Sequence, residues 1–181
     1  PEKEELPQKQ VDSLMELHFA NMGRLAEAGH LLAAGPFYDN GGVFLFSTPK
    51  AITDSLVQTD PAVQADRWRV EQFTWRPLIG SVCGQPKDTE MTTYSFLRFL
   101  PTGNSWTEEQ FNDQLDYVAG LPVSIVTLGL FDEGQAGMLL IFEEEPDDEH
   151  GLNAPAIQEG WYSFKMQQLY IASGSFCERE P

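Results

Sequence analysis

The sequence predicts an α+β fold built from two related repeats, and two observations predict it. The same order of elements, a helix, a hairpin, a short helix and a strand, occurs twice along the 181 residues. Matching residues also recur at nearly one offset, 94 or 93 positions, which favours internal duplication. These matches are Phe37 with Phe131, Trp68 with Trp161, and Gly80-Ser81-Val82-Cys83 with Gly174-Ser175-Phe176-Cys177.

The first repeat opens with a predicted helix over residues 6–28, because apolar residues follow i, i+3, i+4 spacing there and Gly29 is a natural C-cap. Turn residues and proline signals predict the elements that follow. In order they are a hairpin of His30–Phe37 and Val43–Phe46, a helix capped by Thr48 and running to Val57, a helical turn opened by Asp60-Pro61, and a closing strand Arg67–Leu78.

The second repeat is predicted to have the β-α-β-β-α-β order of a ferredoxin-like unit. Thr107 and Gln110 form a capping box that opens its main helix, which runs to about Ala119. Because residues 146–159 are polar and contain Pro, Gly and Asn, any second helix there is expected to be short or distorted. The predicted strands are Thr92–Leu100, Ile125–Phe131, Met138–Glu143 and Trp161–Ala172, the middle two joined around Asp132-Glu133-Gly134.

These patterns divide the chain into a first repeat, 1–83, a linker, 84–91, and a second repeat, 92–177. The first repeat begins at its helix and has no counterpart of the strand that opens the second. By the same offset, that strand is expected upstream of Pro1, or replaced by another segment, because a sheet without a central strand leaves two rows of backbone groups unpaired.

The charge of the chain disfavours nucleic acid and anionic lipid as partners. There are 28 acidic and 11 basic residues, for a formal net charge of -17, and a field of that sign repels phosphates. The one basic concentration, Arg67, Arg69 and Arg76, lies among aromatic residues and is too small to reverse that field. Charge of this size is typical of a soluble protein.

Neither a membrane anchor nor a cysteine framework is indicated. No run approaches the roughly 20 apolar residues of a membrane span. Cys83 and Cys177 lack metal-ligand spacing and lie at matching ends of the repeats, so a disulfide and simple edge packing both stay open. The acidic stretch over 143–149 lacks the spacing of a calcium loop and is expected to be a solvated face. The compartment stays open between the cytoplasm and export.

His18 and Asp60 are the candidate catalytic residues. His18 lies in an apolar helical stripe, where it is either a core histidine or a general acid/base facing a pocket. Asp60 precedes Pro61, so it is either a helix N-cap or a carboxylate that orients His18. The sequence alone does not bring the two within hydrogen-bonding distance.

A second group of residues could line a pocket for a small ligand. Each has a structural alternative, since glycine and proline set strand ends, aspartate is common in turns, and strand aromatics are usually core residues. The candidate substrate-binding residues are Gly35, Pro36, Phe37, Asp39, Phe73 and Trp75.

Residues 18–78 resemble the YciI-like (YCII-related) family. The resemblance is carried by His18 on a helix, the strand Gly29–Phe37 with its Ala-Gly-Pro, the turn with Asp39, and Asp60-Pro61-Ala62-Val63 ahead of Arg69-Val70-Glu71. It covers about a third of the chain. The second repeat lacks the helix histidine, the Ala-Gly-Pro strand and the Asp-Pro turn, so it is similar to a degenerate copy.

The resemblance implies a dimeric α+β barrel in which one chain supplies both halves as an intrachain pseudo-dimer, with a further homodimer possible. It also implies one competent pocket, in the first repeat, with a histidine acid/base and no metal or organic cofactor. Family members that are enzymes carry out eliminations or isomerisations on small cyclic substrates. Two other hypotheses stay open: a non-catalytic module that binds a small ligand, and haem binding through the helix histidine.

Overall fold

The computed structural model describes residues 6–84, 89–103, 107–132, 137–145, 147 and 149–177. Within these residues the chain is a mixed α+β protein with six helices and nine strands. The first half contains α1 (Gln8–Glu27), β1 (Leu31–Pro36), β2 (Gly42–Phe46), α2 (Lys50–Val57), α3 (Pro61–Gln64), β3 (Trp75–Ile79) and β4 (Ser81–Val82). The second contains β5 (Met91–Pro101), α4 (Glu108–Ala119), β6 (Ile125–Phe131), β7 (Gly137–Phe142), α5 (Glu149–Leu152), α6 (Pro155–Gln158), β8 (Tyr162–Ala172) and β9 (Phe176–Cys177).

The main sheet has five strands in the order β3-β6-β7-β5-β8, and every neighbouring pair is antiparallel. Four of these strands come from the second half, and β3 is the contribution of the first. The strands β1 and β2 form a separate antiparallel hairpin, and the short strands β4 and β9 pair with each other. The expected order of strand, helix, two strands, short helices and strand is therefore confirmed for residues 91–172.

Local sequence explains where the helices begin. In α4 the Thr107 side chain accepts a hydrogen bond from the Gln110 backbone N–H, and the Gln110 side chain accepts one from the Thr107 backbone, so the predicted capping box is confirmed. For α2 the predicted cap is wrong by one residue. Pro49 occupies the N-cap, because the Thr48 hydroxyl contacts Thr53 Oγ1 instead of the helix N-terminus.

The main sheet carries an apolar core on each face. One core packs the sheet against α4 and α6 and is centred on Leu97, Phe99 and Val118, which are fully buried. The other lies on the opposite face, contains Phe96, Ile141 and Leu169, and is closed in part by residues of the β1–β2 hairpin. The second half thus contributes most of the buried apolar surface, and the first half packs onto it.

Among the described residues three strand contacts join the halves: the β4–β9 pair and two others that are related by the 94-residue offset. On one side β3 pairs with β6, with Trp75 opposite Phe131. On the other side the end of β1 meets β8 through an antiparallel bridge between Phe37 and Leu169. Adding 94 to Phe37 and Trp75 gives Phe131 and Leu169, so the two bridges are made by equivalent residues.

Backbone hydrogen bonds beside these bridges repeat in the same way. The Asp132 N–H donates to the Thr74 carbonyl at 2.8 Å, and the Tyr38 N–H donates to the Gln168 carbonyl at 3.1 Å. Tyr38 and Asp132 are 94 residues apart, as are Thr74 and Gln168. The 94-residue offset read from the sequence therefore recurs in the contacts between the halves.

Two glycines permit this close approach. A Cβ built on Gly35 would lie 2.2 Å from the Tyr170 carbonyl oxygen, and one built on Gly129 would lie 2.7 Å from the Arg76 carbonyl oxygen. Gly35 and Gly129 are again equivalent positions. Any side chain at either one would push the halves apart.

The predicted closing strand Arg67–Leu78 is shorter in the structure, where only Trp75–Ile79 is a strand. Its counterpart β8 has 11 residues and pairs with β5 along its whole length. Residues 67–74 correspond to the first part of β8, and among the described residues no strand lies beside them. A strand forms only where its backbone groups find partners, so this part of the chain stays irregular.

The expected opening strand of the first half does not occur among the described residues. Within them, β2 pairs only with β1 and β3 pairs only with β6. Residues 85–88 of the predicted linker, residues 133 and 134 of the predicted second hairpin turn, and residues 146 and 148 of the polar stretch lie outside the described part of the chain.

The two cysteines form a disulfide between Cys83 and Cys177. The backbone pairs there as well, because the Cys83 N–H donates to the Ser175 carbonyl at 2.9 Å. Both alternatives left open by the sequence, covalent linkage and edge pairing, are therefore present together. Among the described helices, none combines the length and apolarity needed to cross a membrane.

Candidate functional site

The first half buries a histidine where helix α1 crosses the short helix α3. The buried residues of α1 are His18, Asn21 and Leu25, spaced three and four apart on one face. His18 is 4% exposed, so its imidazole lies almost wholly inside the protein. The side chain that meets it comes from the residue that begins α3.

Asp60 holds the histidine and caps the helix at the same time. It is the N-cap of α3, and its Oδ1 accepts a hydrogen bond from the Ala62 N–H at 2.9 Å. Its Oδ2 lies 2.6 Å from His18 Nδ1, and Asp60 is 3% exposed. The sequence left capping and histidine orientation as alternatives, and one carboxylate does both.

This geometry sets the tautomer of the imidazole. An ionised carboxylate only accepts hydrogen bonds, so the hydrogen between the two side chains belongs to His18 Nδ1. In the neutral ring the lone pair then lies on Nε2, which has no hydrogen-bond partner among the described residues. Nε2 is therefore the atom able to take up or release a proton.

Aromatic side chains surround the imidazole. The Trp68 ring lies edge-on to it at 4.4 Å between centroids, and the Phe19 and Phe44 rings lie at 5.4 Å and 5.8 Å. Trp68 is 36% exposed and Phe19 is 60% exposed. The way from solvent to the ring therefore passes exposed aromatic side chains.

A small apolar hollow lies beside Asp60, and His18 does not line it. Its volume, measured to the centre of a water-sized sphere, is about 10 Å³, which is room for about one water molecule. Its polar lining residues are Asp60 and Asn21, and the rest of the lining is apolar: Met22, Leu25, Leu31, Phe44, Phe46, Leu56 and Val57. In this conformation the hollow does not hold a cyclic substrate.

Asn21 adds a polar group to this hollow. Its Oδ1 accepts hydrogen bonds from Arg24 Nη2 at 2.7 Å and from Thr59 Oγ1 at 3.1 Å. Its Nδ2 is buried without a hydrogen-bond partner in the described structure. The sequence reasoning missed Asn21, although it lies three positions after His18, on the same face of α1.

The second half has an equivalent helix contact without the histidine or the aspartate. The sequence Pro-Ala-Val-Gln of α3 returns as Pro-Ala-Ile-Gln in α6, 94 residues later. The residue that precedes α6 is Ala154, which has no capping side chain. The capping hydrogen bond comes from Gln114 of α4 instead, because its Oε1 accepts from the Ala156 N–H at 3.2 Å. Gln114 is 1% exposed.

The predicted ligand-lining strand residues lie at the junction with the second half. Gly35 and Pro36 are in β1, where Gly35 packs on the Tyr170 backbone. Phe37, Phe73 and Trp75 pack against the second core, with Phe37 edge-on to Phe96 at 5.0 Å. None of them lines the hollow beside Asp60. Their role in substrate binding stays a prediction.

Asp39 ties the hairpin turn to β8. Gln167 Nε2 donates to Asp39 Oδ1 at 2.8 Å and to Oδ2 at 3.0 Å. This hydrogen bond is the main reason that the pKa of Asp39 lies below its ordinary value. The structure thus brings His18 and Asp60 together and places Asp39 in a different contact, between the halves.

Among the described residues, no three His, Cys, Asp or Glu side chains come together as metal ligands would. Comparison with known proteins finds no match, whether to a family model, to a curated protein or to a solved structure.

Proposed function

We propose that the chain is a tandem of two ferredoxin-like units closed on each other as in a dimeric α+β barrel. The order β6-β7-β5-β8 supports this for the second unit, since it puts the first and third strands of the unit side by side at the centre. The equivalent bridges Trp75–Phe131 and Phe37–Leu169 support the closure, since each joins the end of one unit to the edge of the other. The resemblance of residues 18–78 to the YciI-like family agrees with this architecture.

We further propose that the chain is a cofactor-independent enzyme of the lyase or isomerase type, with His18 as general acid/base. The observation that carries this is the 2.6 Å contact between His18 Nδ1 and Asp60 Oδ2, made by a carboxylate whose other oxygen is already fixed by the Ala62 N–H. Such a carboxylate cannot turn away from the ring. Buried acid–base pairs held in one geometry are typical of catalytic sites.

In this mechanism Asp60 positions the imidazole and stabilises it when it becomes charged, while Nε2 exchanges the proton with the substrate. Removing a proton next to a carbonyl and returning it elsewhere gives an isomerisation, and losing a leaving group instead gives an elimination. A small cyclic or enolic substrate, as the resemblance implies, would approach Nε2 past Trp68 and Phe19. The hollow beside Asp60 is not part of this approach, because His18, Trp68 and Phe19 do not line it.

The alternative function is a non-catalytic module that binds a small ligand. The hollow suits this alternative only for a water-sized group, because its volume is about 10 Å³ and Asn21 and Asp60 are its polar lining residues. In that case Asp60 and His18 rigidify the contact between α1 and α3 without moving a proton.

The test is deuterium incorporation from D₂O into a panel of small enolisable cyclic ketones and lactones, followed by proton NMR. The enzyme proposal expects at least one compound to exchange faster with the protein, and His18→Gln to lower that rate by about 10²–10⁴. Asp60→Asn retains an N-cap side chain but removes the charge that fixes the tautomer, so it is expected to lower the rate as well.

The matched control is His30→Gln, which replaces a histidine that precedes β1 and should leave the rate unchanged. Exchange that persists in His18→Gln would contradict the enzyme proposal. Compounds that shift the His18 resonances without exchanging would favour the binding module.

A further inference from the structure

In the second half the sheet is continuous at the position where, among the described residues, the equivalent strands of the first half are unpaired on one edge. There β5 lies between two neighbours, with Leu97 opposite Leu140 of β7 on one side and opposite Met166 of β8 on the other. Both pairings are antiparallel. The strands equivalent to β7 and β8 are β2 and β3, and among the described residues neither has a partner on the corresponding edge.

Burial differs between the equivalent strands in the way that an open edge predicts. Every residue of β7 is buried, whereas β2 has one exposed and four half-buried residues. In β3, Leu78 is 36% exposed and Ile79 is 41% exposed. Apolar strands with free backbone groups on one edge are templates for pairing with another strand.

Side-chain hydrogen bonds link the segments beside these two edges. Lys50 Nζ donates to the Gln72 carbonyl at 3.0 Å, and Gln72 Nε2 donates to the Lys50 carbonyl at 3.2 Å. Two long side chains thus link the segment that follows β2 to the segment that precedes β3.

The residues equivalent to Lys50 and Gln72 are Glu144 and Met166, and both contact β5. The Ser95 hydroxyl of β5 donates to the Glu144 carbonyl, and Leu97 of β5 pairs with Met166. The carbonyl of Glu144 is thus satisfied by β5 in the second half, whereas the equivalent carbonyl of Lys50 is satisfied in the first half by the Gln72 side chain.

We infer that the first half binds an added β-strand in the slot between β2 and residues 68–79. The strand would run antiparallel to both edges, as β5 does, and would convert residues 68–74 from irregular chain to strand. Its chemistry follows from β5, which is apolar on both faces: Tyr94 and Phe96 belong to one core, and Leu97 and Phe99 to the other. The occupant is thus an extended, largely uncharged polypeptide segment with apolar residues on both faces.

The probe is a synthetic peptide of residues 91–101 with three lysines appended for solubility, added to the full chain. Expected results are saturable binding of one peptide per chain and new amide protection from hydrogen exchange at 42–46 and 69–73, read by NMR. Absence of new protection in these two segments at millimolar peptide would overturn the inference.

Two neighbouring proline variants locate the peptide. Arg69 and Val70 lie in the irregular segment and are exposed, and their side chains make no hydrogen bond or ion pair among the described residues. Consecutive N–H groups of a strand point to opposite edges, so only one of Arg69→Pro and Val70→Pro removes a donor that faces the slot. That variant should bind about tenfold more weakly, and the other is its matched control. Equal binding by both variants and the parent would place the peptide elsewhere.

Removing the hydrogen bonds between Lys50 and Gln72 is expected to strengthen peptide binding. The double variant Lys50→Ala/Gln72→Ala removes two hydrogen bonds that the added strand must displace, so it is expected to bind the peptide about two- to tenfold more tightly. Weaker binding by this variant would contradict the slot. Far-UV circular dichroism of each unliganded variant establishes that the starting fold is intact.

Discussion

Each half packs a short helix against a long helix, but the residues that make this contact differ between the halves. The residues that differ include those of the candidate site. Both contain a four-residue helix whose first turn packs on a long helix, α3 on α1 and α6 on α4. In the second half one amide, Gln114, reaches across and caps the short helix. In the first half Asp60 caps its own helix and has an oxygen left for His18.

The comparison shows that capping the short helix does not require the His18–Asp60 pair. A neutral side chain meets the same need in the second half, where Ala154 stands in the place of Asp60. Burying a carboxylate and an imidazole costs desolvation free energy. Gln114 carries a smaller cost of its own, since it is neutral and only its Nε2 is buried without a hydrogen-bond partner among the described residues. The His18–Asp60 pair thus goes beyond what the contact between helices requires, which favours a chemical role.

The largest expected effect is on Asp60 itself. Asp60→Ala leaves the Ala62 N–H uncapped and His18 Nδ1 without an acceptor, so it should lower the free energy of unfolding by about 2–4 kcal/mol. Urea denaturation followed by circular dichroism measures this. Asp60→Asn, which still caps, is the matched control and should cost less than half as much. Equal losses would mean that the cap on the Ala62 N–H contributes nothing to stability.

Building a histidine–aspartate pair into the second half tests this comparison directly. Ala154→Asp places a carboxylate at a fully buried position without a partner and should cost about 1–3 kcal/mol. Adding Gln114→His supplies the partner and should recover part of that loss, giving a favourable coupling of about 0.5–3 kcal/mol in a double-mutant cycle. Zero coupling would mean that α4 and α6 cannot adopt the geometry of α1 and α3.

The smallest effect concerns the junction between the halves and depends on pH. The pKa of Asp39 lies below its ordinary value of 3.8, mainly because Gln167 donates to the carboxylate. A carboxyl group with a lowered folded-state pKa stabilises the fold above its unfolded pKa, and this contribution is lost as pH falls through the folded pKa. Asp39→Asn should therefore lower the melting temperature slightly at pH 6, and by less at pH 3. A difference that grows on acidification would contradict this.

Much of the fold follows from local sequence, and the rest depends on pairing with segments that are distant along the chain. The Thr107 capping box, the stripe of α1 and the first hairpin turn are local signals, and each of these elements formed within a few residues of its predicted bounds. The predicted strand over 67–78 shortened to Trp75–Ile79 because a strand needs a neighbour, which periodicity along one chain does not report.

The residues of the candidate site could be predicted from the sequence, but the contact between them could not. The residue types of His18 and Asp60 pointed to acid–base chemistry, but their contact spans 42 positions of sequence and depends on how α3 packs on α1. One available signal was overlooked. The return of Pro-Ala-Val-Gln as Pro-Ala-Ile-Gln, with aspartate replaced by alanine before it, marks α3 and α6 as equivalent and identifies Asp60 as the residue that differs.

The Cys83–Cys177 disulfide also determines how the chain would respond to mechanical force. Because it joins residues 94 positions apart near the end of each half, tension applied between the two termini passes through the sulfur atoms and bypasses everything between them. Stretched in the oxidised form, the chain could extend to roughly 300 Å, against roughly 600 Å after reduction. The second half is thus a closed covalent ring shielded from pulling, and the half that carries His18 is the part that would give way.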